Sequence, residues 1–282
     1  MTISATVLAD SINQYGDRMT TIRAVYPRII HSEVLRHRPL SHSVSSSRAI
    51  PVSRMLRNTV SDMAEPVEFG ANRPGMQAGG PLLGWRRATA RGAWFAAGYA
   101  AAGFAWVASK AGAHKQVANR IIEPWTHTVE IISGTDWQSF FDLRIHDDAD
   151  PTIREFAVAV REAFNASVPI RLAHGDWHLP LIGVEERLNF HTDILRKVSG
   201  ARCARASYLN HDQSEPVISR DLELARRLIG QHHWSPFEHQ ATSDRRVRCP
   251  MSGGLEGWER PGLHGNLSGF IQDRKLREVA GS

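Results

Sequence analysis

A chain of 282 residues with 42% hydrophobic side chains is long enough for one substantial core or one large domain with an elaborated insert. Thirty-four Lys and Arg stand against 29 Asp and Glu, and lysine occurs only at Lys110, Lys115, Lys197 and Lys275, so the excess cation is arginine, whose planar fork suits carboxylate and phosphate. The formal charge of +5 without a long basic run is a mild bias toward nucleic acid, and the two cysteines, Cys203 and Cys249, exclude a disulfide framework and a CxxC metal site, which suits a reducing cytoplasm.

The N-terminus, MTISATVLADSINQYGD, has no basic n-region and no long apolar core, so no signal peptide is expected. From residue 19 an alternation of β-branched and polar residues predicts a strand that Pro27 ends. RIIHSEVLRHR then has helical spacing, with Ile29, Ile30 and Val34 on one side. The serine-rich segment after it reads as a loop or helix start, and SRMLRNTVSDM as a helix. Residues 64–84, rich in Pro and Gly, read as a long loop of the kind that carries function.

Residues 85–124 have a helical pattern that Pro124 stops. Within it, residues 92–109 carry no charge but consist mostly of Ala and Gly, with little Leu or Ile; this predicts a buried helix packed closely on a neighbour and no membrane span. HTVEIISG suits a strand or a buried helical turn. DWQSFFDLRI and DPTIREFAVAVREAFNAS predict two helices, the second started by Asp150 and Pro151. Residues 166–190 read as irregular, 185–209 as one helix, 214–234 as an amphipathic helix, 245–265 as a Gly-rich tail and 266–281 as a final helix. The expected class is α+β (mixed α/β), one domain over residues 1–282 with a loop and helix insert at about 60–113.

The chemistry concentrates in RHRPLSHSVSSSRAIP, residues 36–51. Arg36, His37 and Arg38 are consecutive and cannot share a helix face, yet they can converge on a ligand that crosses a helix end. Ser41, Ser43, Ser46 and Arg48 recur at spacings that could line one wall, and backbone N–H groups would complete an anion site. The segment is either a phosphate or pyrophosphate cradle or a solvated surface turn. His232, His233 and His239 lack metal-ligand spacing, so no metal is expected. Trp177, Trp234 and Trp258 could stack on bases, although the core is the commoner place for Trp. Neither a GxGxxG nor a Walker pattern occurs.

R-H-R-x-x-S-x-S-x-x-S-x-R resembles the signature of flavin-dependent thymidylate synthases, R-H-R-x-x-S-x-N-x-x-S-x-R-Y. Arg36, His37, Arg38, Ser41, Ser46 and Arg48 match it; Ser43 stands for the usual Asn and Ala49 for the usual Tyr. Glu33 stands where a Gln is usual. KQVANRIIEPW resembles the segment that carries a nucleotide-binding arginine, here Arg120, and DWQSFFDLR the helix whose arginine meets the substrate phosphate, here Arg144. ARASYL (204–209) and SPFEHQAT (235–242) resemble pieces that the family has before the signature; here they follow it, as in a permuted or rearranged relative.

The resemblance implies a helix-rich fold with a small, mostly antiparallel sheet and a homotetramer with shared active sites. FAD would lie against Arg36, His37, Arg38, Ser43, His239 and Thr242. The phosphate of a uracil nucleotide would meet Ser46, Arg48, Arg120 and Arg144, with Glu33 near the base or sugar. Ser46 and Arg48 would serve catalysis by positioning, with no cysteine nucleophile. NADPH would reduce the flavin, and 5,10-methylenetetrahydrofolate would supply the one-carbon unit to C5 of dUMP or UMP. The departures at Glu33, Ser43, Val44 and Ala49 leave the choice of sugar open. The alternative is a flavin-dependent lyase or modifying enzyme acting on a hypermodified thymine in phage DNA, held by the basic surface and flipped into the site.

Overall fold

A computed structural model describes residues 3–206, 217–248 and 254–281. Cys249, and residues 207–209 of ARASYL, lie outside the described residues. The chain runs β1 (Ser4–Ile12), β2 (Arg18–Pro27), α1 (His31–Val34), β3 (Ser41–Val44), α2 (Val52–Ser61), α3 (Gly84–Lys110), α4 (Lys115–Ala118) and β4 (His127–Gly134). It continues with α5 (Trp137–Arg144), α6 (Pro151–Ala166), β5 (Ile170–Arg171), β6 (Trp177–His178), α7 (Val184–Asn189) and α8 (Thr192–Ala204). After α9 (Ile218–Gly230) come β7 (Ala241–Ser243), β8 (Arg246–Arg248), β9 (Leu255–Trp258), β10 (Phe270–Gln272) and α10 (Asp273–Ala280). The fold is mixed α/β, as the sequence predicts.

The main sheet has the order β3-β4-β2-β1-β5, antiparallel except where β5 runs parallel to β1. Alternation along the strands gives it two unlike faces. Ile22, Ala24, Tyr26 and Ile132 face a core closed by Trp137, Phe140 and Phe141 of α5 and Ile153, Phe156, Ala157 and Val160 of α6. The cap of α6 is the one the sequence predicts: Asp150 Oδ1 accepts from the N–H groups of Thr152 (2.8 Å) and Ile153 (3.3 Å), and Pro151 occupies the first turn. The opposite face carries Thr21, Ile131, Ser133, Ser41 and Ser43. Over it lie Leu181 and Cys203, which pack on Ile131, and the small antiparallel sheet β10-β7-β6.

A β-bulge decides which residues of β1 reach that second face. Val7 pairs with Ile22, yet Ala9 pairs with Thr21, so one extra residue enters β1. A regular ladder would put Ser11 opposite Arg18; the bulge puts it opposite Met19, on the face of Thr21. Asp10 then turns to the α6 side, where Arg18 Nη2 binds it at 2.6 Å.

Several sequence expectations are corrected. The first part of the serine-rich segment is not a loop or helix start: Ser41–Val44 form the edge strand β3, because β4 offers an unpaired ladder and pairs Ser41 with Ser133 and Ser43 with Ile131, while Ser45–Ser47 lie in the predicted loop. Residues 166–190 are not irregular but hold β5, β6 and α7. The helix expected over 185–209 breaks between Asn189 and Thr192, where His191 Nδ1 caps α8 by accepting from the Asp193 N–H. β10 precedes the final helix, and the Gly-rich tail contains β8 and β9. β1 lies in a stretch with no clear alternation in the sequence.

The helix α3 is not buried. Only Gly98, Ala101, Ala102 and Ala105 are buried in it, while Tyr99, Phe104, Trp106 and Val107 are more than half exposed. The small residues do serve close packing on one side: a Cβ at Gly98 would lie 2.4 Å from Met63 Sδ and 2.8 Å from Trp125 Cδ1. Among the described residues no helix is long and apolar enough to cross a membrane.

Candidate functional site

The RHR segment leaves α1 in tight turns. The His37 N–H donates to Val34 O (3.2 Å), which turns His37 inward and leaves Arg36 and Arg38 exposed on either side of it. His37 is 6% exposed and meets Phe140 edge-on at 4.8 Å. Its Nε2 accepts from Arg144 Nε at 2.8 Å, so its proton sits on Nδ1. Arg144 also reaches Glu33 through Nη1 (3.4 Å) and the Glu33 carbonyl through Nη2 (3.3 Å). Burial, reinforced by the neighbouring Arg144 and His42, pushes the His37 pKa down to about 4. Glu33, His37 and Arg144 thus form one cluster, and the neutral imidazole acts as a hydrogen-bond acceptor that aims the guanidinium.

A second cluster sits across the sheet edge. Ser43 Oγ lies 2.9 Å from His239 Nε2, and His239 Nδ1 lies 2.8 Å from Ser133 Oγ. His239 follows the short 3₁₀ turn Ser235–Glu238 and is fully buried. Burial pushes its pKa down to about 3, so it is neutral. Thr242, in β7, is mostly buried and donates to Asp176 O at 2.7 Å. Ser41 is tied to Asn266 (3.0 Å), which brings the C-terminal region to the same strand.

The third group is the turn after β3. Asn119 Nδ2 donates to Ser47 O (2.8 Å) and Ile50 O (2.9 Å), and Lys115 Nζ to Ala49 O (3.3 Å). These bonds clamp the Ser46–Arg48 turn against the start of the Asn119–Trp125 turn, so the exposed Arg48 and Arg120 stand on neighbouring segments. Ser47 Oγ hydrogen-bonds Glu123, which holds the turn from below. Every predicted site residue therefore lies on β3, on its two flanking turns, or on a segment bonded to them, except Thr242, which lies in β7 of the small sheet, three residues after His239.

Sequence reasoning missed the buried groups behind this strand. Tyr26 OH bonds Glu130 Oε2 and lies 2.8 Å from His31 Nδ1, while His42 Nδ1 lies 3.0 Å from Glu130 Oε1. Burial, with Glu130 alongside, pushes the Tyr26 hydroxyl pKa far up, so it is a fixed donor. His178, Thr21 and Ser11 belong to the network that reaches Ser133. Only the strand registers place these residues together, and no local motif announces them. The three tryptophans are half-buried; Arg196 stacks on Trp177 at 4.1 Å and Arg246 on Trp258 at 3.8 Å. Among the described residues no group of three His, Cys, Asp or Glu could hold a metal ion.

A concavity of about 500 Å³ lies elsewhere, at the Pro27–His127 end of β2 and β4, lined by Asp62, Glu65, Arg87 and Arg91. Thr21 is six residues up β2, roughly 20 Å away, and none of the predicted site residues lines this hollow. The fold and site together define a mixed α/β protein whose sheet edge is rich in hydroxyls and flanked by arginines. No protein-family model matches the chain, and no curated protein matches it in sequence. Among solved structures it is similar to a UMP/dUMP methylase, PolB from Streptomyces cacaoi, bound with 5-Br dUMP. The TM-score is 0.44 and the identity 13%, over 58% of this chain and 89% of that one.

Proposed function

We propose that this protein is a flavin-dependent methyltransferase that delivers a one-carbon unit to C5 of a uracil nucleotide, dUMP or UMP. The observation that supports it is the meeting, at one sheet edge, of residues far apart in sequence: Ser43 of β3 with His239, and His37 of the turn before β3 with Arg144 at the end of α5. These are the positions that the signature resemblance assigns to flavin and nucleotide. The donor set fits such ligands: Arg36, Arg38, Arg48 and Arg120 are exposed cations, flanked by serine hydroxyls, suited to pyrophosphate and phosphate.

In this reading FAD, reduced by NADPH and working with 5,10-methylenetetrahydrofolate, supplies the redox and one-carbon chemistry that side chains lack. Arg36 and Arg38 neutralise its pyrophosphate, and Ser43 orients it. Ser46, Arg48, Arg120 and Arg144 hold the nucleotide phosphate, with Arg144 aimed by His37 and Glu33 before the ligand arrives. The remaining thiol within the described residues, Cys203, is fully buried, and burial pushes its pKa up to about 12, so it cannot serve as a nucleophile. The mechanism proposed needs none.

Assembly into a homotetramer is part of the proposal. The stretch Gly92–Ser109 of α3 carries no charge and exposes Tyr99, Phe104, Trp106 and Val107. In this proposal a second copy of the same uncharged face covers it in an isologous contact, one of the interfaces that a tetramer built as a dimer of dimers needs.

The test is tritium release from C5-labelled dUMP and UMP, side by side, with protein, FAD, NADPH and methylenetetrahydrofolate. Release from either supports the proposal, and the preferred nucleotide fixes the sugar. Absence of release from both, with flavin bound, overturns it; salt-dependent binding of duplex DNA would then turn the reading toward a base within DNA.

A further inference from the structure

Six side chains form one unbroken line of hydrogen bonds beneath the site. Ser11 Oγ lies 2.9 Å from His178 Nδ1, and His178 Nε2 lies 2.7 Å from Thr21 Oγ1. Thr21 Oγ1 lies 2.6 Å from Ser133 Oγ, Ser133 Oγ 2.8 Å from His239 Nδ1, and His239 Nε2 2.9 Å from Ser43 Oγ. All six residues are buried, and the four interior ones, His178, Thr21, Ser133 and His239, are at most 1% exposed, so bulk water does not substitute for a missing partner between the two ends. Burial holds both imidazoles neutral, with pKa values near 3. A neutral imidazole has one donor and one acceptor, and a hydroxyl has one proton. Two arrangements then satisfy every link and also use the hydroxyl protons of both Thr21 and Ser133 within the line. In one, each group donates toward Ser43: both histidines carry the proton on Nε2, and the Ser43 proton points outward. In the other, each donates toward Ser11: both carry it on Nδ1, and Ser43 spends its proton on His239. Of the two mixtures, one leaves the Thr21 and Ser133 oxygens face to face with no proton between them, and the other makes Thr21 or Ser133 accept twice and strands its own buried hydroxyl proton outside the line.

We propose that these six side chains act as a single tautomer-coupled relay, in which His178 is a positioning residue that sets, through His239, whether Ser43 presents a proton or only a lone pair to a molecule bound at β3. The functional meaning rests on the placement of the ligand at β3 proposed above; the coupling itself does not. The β1 bulge is what completes the line, because a regular β1 would turn Ser11 to the other face of the sheet.

The test reads the two tautomers by long-range ¹H–¹⁵N correlation spectra of ligand-free, histidine-labelled protein, with assignment from His178→Asn and His239→Asn. The wild type is expected to show matching tautomer populations at His178 and His239. Thr21→Val cuts the line. Ser133 then has only His239 to donate to, and His178 keeps only Ser11, because a buried bare acceptor is tolerated better than a buried bare donor. The variant is expected to hold His178 with its proton on Nδ1 and His239 with its proton on Nε2, so that one of the two switches. Ser133→Ala cuts the same line at the next link and predicts the same opposite pair, which serves if the valine variant fails to fold. Thr21→Ser restores matching. Opposite tautomers in the wild type, or an unchanged pair in both cut variants, would overturn the relay. Because no ligand is present, that failure is separate from a failure of the tritium assay.

Discussion

Arg202→Met tests the ion cluster that pins α8 behind the site. Arg202 is 1% exposed. It donates to Leu181 O (2.6 Å), to both Glu186 carboxylate oxygens (2.8 and 2.6 Å) and to Asp221 Oδ2 (2.8 Å). Methionine keeps most of the apolar stem and removes every donor. Asp221, fully buried, is left with Arg205, and Leu181 loses the bond that holds its carbonyl. Leu181 sits at φ 61°, a left-handed conformation that costs a non-glycine residue roughly 1–2 kcal/mol, so an anchor there matters. Breaking a buried ion pair from one side costs about 3–5 kcal/mol. For a chain of this size that is a fall in Tm of about 6–20 °C, at roughly 2–4 °C per kcal/mol. Urea unfolding at pH 7 reads the loss directly. The same experiment in acid carries a sign. The Arg202 hydrogen bonds, together with the Gly183 N–H, hold the Glu186 pKa below its usual value. That contribution is therefore present above the unfolded pKa and is lost as pH falls through the lower, folded one. In Arg202→Met this part of the acid sensitivity should shrink. A loss under about 1 kcal/mol at pH 7, the range of exposed pairs, would refute the view that these charges are desolvated.

Arg48→Ala should weaken nucleotide binding by roughly 10- to 150-fold, the equivalent of a charge-assisted contact of about 1.5–3 kcal/mol, while leaving FAD affinity unchanged; equal loss of both, read by calorimetric titration, would break the division of the arginines. Gly200→Ala places a Cβ 2.5 Å from Phe237 Cε1 and 2.6 Å from Cδ1. The gain in helix propensity, up to about 1 kcal/mol, is outweighed by overpacking of about 1–3 kcal/mol, so Tm should fall rather than rise. Phe104→Glu changes a side chain that is 68% exposed in the single chain, so its effect on monomer stability should lie within about 0.5 kcal/mol; light scattering should nevertheless show a smaller assembly, and an unchanged mass would place the contact elsewhere.

What could be read from the sequence by itself was whatever short-range chemistry encodes. The α6 start follows from Asp150 and Pro151, β2 from its alternation up to Pro27, and the candidate segment from cations beside serines. In each, the deciding residues lie within a few positions of one another. Serine favours turns and caps, and nothing near residue 41 says otherwise; Ser41–Val44 became a strand because β4, some 90 residues later, had an open edge. The Ala- and Gly-rich composition of α3 announces a helix that approaches something closely, but composition does not say on how many sides, and Met63 and Trp125 meet it on one. The line from Ser11 to Ser43 was least accessible of all. Its bonded neighbours are separated by up to 196 positions, and they meet only through strand register and a single inserted residue in β1. Periodicity is a local property, whereas the pairing of buried donors with acceptors is decided by which strands lie side by side, and that belongs to the tertiary structure.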